Sequence, residues 1–346
     1  MKRHLFTILA LLAAAPSFAC TTAIVSAELS STGRPLLWKQ RDTGNLLNTV
    51  VGVPAKDGNY AYTALFNIDD IDCRSAYAGE NEKGFAIVNN MSYNLQSGGY
   101  DARNGRAMRR ALECCATVED FDALMRAMEP RDVASNFGVV DATGAAAFFE
   151  VADSSFTRYD VPAGGWLVRT NFSLSGRENE PSGYARYQTA EYLMERHKGK
   201  FSPLFLIDGL GRSFHNAVLG YDASRKYPRG TAYDEDFIPR MSTSASVCFD
   251  GTGIMWTSVG YTPASYAMPL AVCGELPSCL VEANAFCDSL RHAMHPLPRD
   301  AGTKYIHFGI ARKVMTIVRR YERRAAALSG DPAAMDALFE EFKKEF

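Results

Sequence analysis

The side chain with the clearest chemical opportunity in this sequence is Cys20, in the run Ser17-Phe18-Ala19-Cys20-Thr21-Thr22. A thiolate is a strong nucleophile, but a free thiol, with a pKa of about 8.5, is mostly protonated at neutral pH and needs a base. A cut after Ala19 would give Cys20 an α-amino group, whose usual pKa is about 7.7–8.0. That amine can accept the thiol proton, so an N-terminal cysteine carries its own general base and needs no histidine. Lys39, Arg41 and Asp42 could serve such a nucleophile. A cation beside the sulfur favours the thiolate, and a carboxylate favours the ammonium.

The residues before Cys20 supply the cut. Lys2 and Arg3 open the chain, Leu5 to Ala15 is an apolar run too short to span a bilayer well, and Pro16 ends it. Ser17 and Ala19 place small residues at the third and first positions before the cut, the layout of a secretory signal peptide. The expected organisation is a signal over residues 1–19 and one domain over 20–346, periplasmic or secreted from a bacterium. In a different reading the chain is a non-enzymatic lipoprotein with Cys20 as its acylated anchor, although Ser17 stands where such signals usually carry leucine.

Composition narrows the remaining classes. The chain has 346 residues, 47% hydrophobic and 22% charged, with a formal net charge of −2. That describes an ordinary globular protein with no basic field for nucleic acid. No apolar run after the signal is long enough to cross a membrane. His292 and His295 are followed by Pro296 and lack a third ligand, and no Cys-x-x-Cys, glycine-rich phosphate loop or Gly-x-Ser-x-Gly elbow occurs. No metal and no cofactor is expected. Seven cysteines remain besides Cys20; Cys273 and Cys279 flank Gly274 and Pro277 and suit a loop-closing disulfide, and adjacent Cys114 and Cys115 read as core. A homo-oligomer is compatible with this composition.

The elements that must position Cys20 follow from pattern. Thr21 to Val25 is β-branched and apolar, Ser31 to Pro35 is turn-like, and Leu36 to Asp42 reads as a second strand, so the two should pair as a hairpin that returns Lys39, Arg41 or Asp42 to Cys20. Further strands are expected near Tyr60 to Phe66, Phe85 to Asn89, Asn136 to Val140, Ala145 to Val151, Gly164 to Asn171, Ala245 to Phe249 and Gly253 to Ser258. Gly79 to Gly84 reads as a tight turn. Helical spacing runs from Gly105 to Met128, with a break capped by Thr117 and Asp120, and again over Tyr184 to His197, Glu282 to His292 and the charged stretch from Lys304 to Phe346, expected on the outside. Hairpins dominate and no β-α-β alternation appears, which argues for antiparallel sheets covered by helices, an α+β layered domain. Asn89, Asn90 and Asn171 lie at or beyond strand ends, where an amide can donate to a developing oxyanion.

Several of these stretches together resemble a known family. The start Cys20-Thr21-Thr22-Ala23-Ile24, the run Gly33 to Asp42, the Asn81-Glu82-Lys83-Gly84 turn, Phe137 to Asp141, Arg169-Thr170-Asn171 and Trp256 through Pro269 are similar to the N-terminal-nucleophile hydrolases. Within them the likeness is to the linear-amide C–N hydrolases: choloylglycine hydrolase, penicillin V acylase and the acyl-CoA:6-aminopenicillanate acyltransferase group. The resemblance implies a four-layer αββα sandwich with two antiparallel sheets between helix layers. It also implies hydrolysis of a linear, non-peptide amide in a small N-acyl substrate through an acyl-thioester. It carries the nucleophile onto Cys20, a carboxylate onto Asp42, an oxyanion asparagine onto Asn171, a second asparagine onto Asn90 with Asn89 as the one-residue alternative, and a late arginine onto Arg240. The family's arginine before the aspartate falls on Lys39, and Arg41 is the other source of that cation. A secreted dipeptidase or an acyltransferase of the same superfamily would share these features.

Overall fold

The computed structural model describes residues 19–96, 103–128, 131–178, 182–296 and 305–346. The expected signal peptide therefore lies outside the described residues, except for Ala19.

Two antiparallel sheets form the centre. The first contains β1 (Ala19–Val25), β2 (Leu36–Asp42), β10 (Trp166–Arg169), β14 (Thr243–Phe249), β15 (Ile254–Val259) and β16 (Met268–Ala271), in the order β10-β1-β2-β14-β15-β16. The second runs in chain order through β3 (Asn48–Val53), β4 (Tyr62–Asn67), β5 (Ala78–Asn81), β6 (Ala86–Met91), β7 (Ser135–Val140), β8 (Ala146–Val151) and β9 (Phe156–Asp160). Short elements β11 (His215–Asn216), β12 (Tyr221–Asp222), α4 (Ala223–Lys226), β13 (Thr231–Tyr233) and β17 (Tyr305–His307) lie between the larger ones.

Strand alternation separates the layers. Ile24 and Leu37 point inward from the first sheet and meet Leu65, Val88, Val140 and Phe148 of the second in one core. Ala23, Val25 and Trp38 point the other way, against Ala190 and Met194 of α3 (Tyr184–Arg196) and a π-helical turn over Phe205–Leu210. The far face of the second sheet is covered by α1 (Arg103–Cys114) and α2 (Val118–Ala127), through Met108, Leu112, Phe121 and Met125. Thr117 caps α2 and Asp120 closes the capping box, as its spacing predicts. The layers are thus helix, sheet, sheet, helix. Helices α5 (Leu280–Met294), α6 (Phe308–Ala326) and α7 (Pro332–Lys343) extend the inter-sheet core beyond β15 and β16.

Three expectations change. The stretch Gly79 to Gly84 is strand β5 through Asn81 and turns only over Glu82 to Gly84, because Ala78 to Glu80 pair with β6. Cys273 and Cys279 are unbonded, as are the other cysteines. Cys273 is exposed, and the backbone N–H groups of Cys273 and Cys279 are tied to different partners, Thr63 and Asp336. The C-terminal helices are charged outside, but Val314, Val318, Tyr321, Leu338 and Phe342 make them part of the core.

Candidate active site

The β1–β2 hairpin brings the expected groups together. Its register sets Cys20 opposite Arg41, Thr22 opposite Lys39 and Ile24 opposite Leu37. Directly opposed residues share a face, so Cys20, Lys39 and Arg41 all look into the space between the sheets. There the apolar core ends and a cavity of about 320 Å³ opens, lined in part by Cys20, Lys39, Arg41, Tyr77, Asn89 and Met91. Cys20 is 8% exposed, enough for its thiol to reach that cavity.

Both cations are held in place. Lys39 Nζ donates to Tyr77 O and Asn89 Oδ1, each at 2.7 Å. Arg41 donates to Asn48 and Asn67, and its guanidinium lies 3.8 Å from the Tyr77 ring centroid. Burial pushes Lys39 down to about 8, with Arg41 adding repulsion and Cys20 and Asp42 opposing the shift. The Arg41 guanidinium is also lowered, first by burial.

The other side of Cys20 holds its nitrogen. Cys20 N donates to Asn171 Oδ1 at 2.8 Å. Arg186 Nη2 donates to the same oxygen at 2.8 Å, and Arg186 Nη1 donates to Cys20 O at 2.6 Å and Thr21 Oγ1 at 3.0 Å. Two donors on one oxygen fix which way the amide faces, and Asn171 Nδ2 accordingly donates to Met91 O at 2.9 Å. Asn171 was expected as an oxyanion donor; its carbonyl oxygen instead faces the nucleophile's nitrogen.

Asp42 lies opposite Ala19, one step beyond Cys20's partner. Its Oδ1 accepts from Thr243 Oγ1 at 2.7 Å, and its Oδ2 is 3.2 Å from Arg240 Nε. Arg240 also reaches Glu235 at 3.3 Å. Burial raises the Asp42 carboxyl to about 6, against the pull of Arg240, Arg186 and Thr243. Arg186 is pushed down to about 9, first by burial and then by Arg240.

The structure thus gathers Cys20, Asp42, Arg41, Lys39, Asn171 and Arg240 around one strand end. It does not bring Asn90 to the cavity wall. Asn90 is fully buried, accepting from Thr22 Oγ1 at 2.7 Å and donating to Arg169 O at 3.1 Å, while its neighbour Asn89 lines the cavity. Arg186 was missed by sequence reading. Its signal is a charge on the buried stripe of α3, with Arg186, Ala190 and Met194 at intervals of four. Gly183, at φ +80°, makes room for it, since a Cβ there would run into the Arg186 guanidinium.

Residues 74–202 match the family model of acyl-coenzyme A:6-aminopenicillanic acid acyl-transferase. The resemblance to this group of N-terminal-nucleophile enzymes, which hydrolyse or transfer acyl groups, is thereby shown over a stretch that contains Asn89, Asn90, Asn171 and Arg186. No curated protein matches the sequence. Among solved structures, the chain is similar to the Caenorhabditis elegans ortholog of N-acylethanolamine-hydrolyzing acid amidase, at 17% identity over 67% of this chain and 93% of that one, with a TM-score of 0.45. A mutant conjugated bile acid hydrolase from Clostridium perfringens is 15% identical over 73% of this chain and 92% of its own, with a TM-score of 0.43. Penicillin V acylase from Agrobacterium tumefaciens is 12% identical over 73% and 86%, with a TM-score of 0.41. No helix among the described residues is long and apolar enough to cross a membrane.

Proposed function

We propose that the protein is an exported bacterial amidohydrolase that cleaves the linear amide bond of a small N-acyl substrate, with Cys20 as its N-terminal nucleophile. One observation carries the reading. The thiol of Cys20 opens on a cavity while the nitrogen of the same residue is held by Asn171 Oδ1 at 2.8 Å. Removal of residues 1–19 would turn that nitrogen into a free amine already in place.

In the first step Cys20 Sγ bonds to the amide carbonyl carbon and its proton moves to the α-amine. Lys39 and Arg41 face the same cavity and offset the negative charge gathering on sulfur and then on oxygen. On the other side Asp42 offsets the new ammonium, which would otherwise form among the cations Arg186 and Arg240. The ammonium gives its proton to the departing nitrogen as the C–N bond breaks. Water then attacks the thioester with the same amine as base and releases the acid and the thiol.

The test is to express the full precursor, measure the intact mass of the exported protein and assay it against N-acyl amides (a bile-salt conjugate, penicillin V, an N-acyl-homoserine lactone, N-acyl amino acids) and against dipeptides. A free Cys20 terminus with amide turnover supports the reading. A terminus upstream of Cys20, or turnover of dipeptides alone, overturns it. The matched family is named for an acyltransferase, which favours one second reading: transfer of the acyl group to an amine acceptor. Adding 6-aminopenicillanic acid to the assay separates the two, since transfer yields a new amide and hydrolysis yields the acid.

Lys39 sets an expected pH dependence. Its folded pKa of about 8 means that the ammonium is present below pH 8 and lost above it. The kcat/KM of the wild type should fall as pH rises through that value, and Lys39→Arg, which stays charged, should move this limb above about pH 10. A pH–rate profile with the same alkaline limb in both proteins would remove Lys39 from the mechanism.

A further inference from the structure

The segment that carries Asn171 has no ladder of its own. β10 ends at Arg169, and residues 170–175 leave the first sheet and pass over the second. Yet every backbone carbonyl from Arg169 to Ser173 is held from the second sheet or the loop after β6. Arg169 O accepts from Asn90 Nδ2 at 3.1 Å. Thr170 O and Phe172 O both accept from Asn136 Nδ2, at 3.1 and 3.0 Å. Asn171 O accepts from Tyr93 N at 3.0 Å, and Ser173 O from Asn94 Nδ2 at 3.0 Å.

The donors of the segment are held as well. Asn136 Oδ1 accepts from Ser173 Oγ at 2.5 Å, and Asn94 Oδ1 from Ser173 N at 2.8 Å. Glu150 Oε1 takes Arg169 Nε at 2.7 Å and Leu174 N at 3.0 Å; its Oε2 takes Ser175 N at 2.7 Å and Ser175 Oγ at 2.6 Å. Asn94, Asn136 and Glu150 are each at most 3% exposed. Burying a carboxylate and two amides gives little stability over an apolar seam of the same shape. What such a network does fix is orientation.

We propose that Asn136, Asn94 and Glu150 form a clamp whose role is to aim Asn171 Oδ1 at the nitrogen of Cys20. None of the three lines the cavity, so they are positioning residues that act through Asn171. The proposal rests on the reading of Cys20 as an amine-bearing nucleophile. It predicts that loosening the clamp weakens the hold on the α-amine, and therefore changes how readily the thiol is deprotonated, without changing the shape of the acyl cavity.

The test follows carbamidomethylation of Cys20 by iodoacetamide against pH, read by peptide mass in the mature protein. The variants are Asn136→Ala, Glu150→Gln and the control Glu322→Gln. Glu322 forms an equally buried pair with Arg212 and touches none of the residues above. Asn136→Ala should slow alkylation at pH 7 about tenfold, the low end of what losing an outer partner costs at metal sites, and should move the midpoint of the rate–pH profile by at least about half a unit. Glu150→Gln should move the profile as well, and it serves alone if Asn136→Ala does not fold. Glu322→Gln should lower the melting temperature and leave the profile in place. A wild-type profile in the folded clamp variants, or an equal shift in the control, overturns the clamp and leaves the Cys20 reading standing. A wild-type chain whose mass includes residues before Cys20 overturns that reading and the clamp with it.

Discussion

Cys20→Ala should abolish turnover of any N-acyl amide that the wild type cleaves, with a loss of about 10⁴-fold or more in kcat, the scale seen when a nucleophile is removed from a unit that acts together. The fold should survive. Cys20 sits at the end of β1, beside the cavity, so removing one sulfur there opens little new void. A change in melting temperature of a few degrees at most is expected. Cys20→Ser is the sharper variant. It keeps the α-amine, the Asn171 bond and nearly the same volume, and changes only the nucleophile. A serine hydroxyl is far harder to deprotonate than a thiol, so the same amine is a poor base for it. If Cys20→Ser retains more than about one-hundredth of the wild-type kcat, the thiol is not the attacking atom. Intact-mass spectra make the distinction independent of assay sensitivity, because a slow substrate should leave an acyl adduct on wild-type Cys20 and none on Cys20→Ala.

The local part of this site was legible in the sequence because hairpins are local. A β-branched run, a turn and a second apolar run are enough to fold Leu36–Asp42 back on Ala19–Val25 and so to bring Lys39, Arg41 and Asp42 near Cys20; that Arg41 is the residue directly opposite Cys20 is set by the register of the folded pair. The same holds for the capping box at Thr117 and for the paired strands around Asp141 and Asp250. β3 and β9 went unseen, since both are edge strands with several half-exposed positions and so lack the continuous apolar run of their neighbours. The choice between Asn89 and Asn90 needed contacts between elements far apart in sequence: Lys39 Nζ donates to Asn89 Oδ1 at the cavity, while Thr22 Oγ1 and Arg169 O take up the amide of Asn90.

Side-chain roles were less legible than positions. Asn171 was found as a residue at a strand end, but the direction of its amide depends on Arg186, which approaches from a helix that reads as merely amphipathic. Arg186 looks like any surface arginine until its place on the buried stripe is counted. The clamp around Asn171 shows the same limit. Asn94, Asn136 and Glu150 are polar residues scattered over more than fifty positions, and only the crossing of residues 170–175 over the second sheet gives them a shared purpose.

Asp42→Asn should separate activity from stability. The Asp42 carboxyl is buried, and burial outweighs the nearby guanidiniums, so its folded pKa is about 6 against an ordinary 3.8. The folded state therefore holds more protons than the unfolded state between those two values. Stability contributed at this position is greatest in acid, falls as pH rises from about 4 to above 6, and stays reduced at higher pH. A shift of that size corresponds to about 3 kcal/mol, the cost of keeping the carboxylate ionised in the fold. Asparagine has the same shape and no charge to bury, so Asp42→Asn should melt several degrees higher than the wild type at pH 8 and close to it at pH 4. Activity should move the opposite way. Protonation of the Cys20 amine during attack adds a cation beside Arg186 and Arg240, and Asp42 is the carboxylate held against Arg240 at 3.2 Å. Without its charge the ammonium is disfavoured and kcat/KM should fall about 10²- to 10³-fold, together with loss of any acid limb near pH 6. Melting curves at pH 4 and 8 and one pH–rate profile test both halves. A variant that is less stable at pH 8 would mean that Asp42 is retained to neutralise Arg240, and that its ionisation is favourable in the fold. A variant that is more stable and still active would place the ammonium's counter-charge elsewhere. The combination of higher stability and lost activity is the signature of a charge kept at a cost to the fold for what it does to the nucleophile.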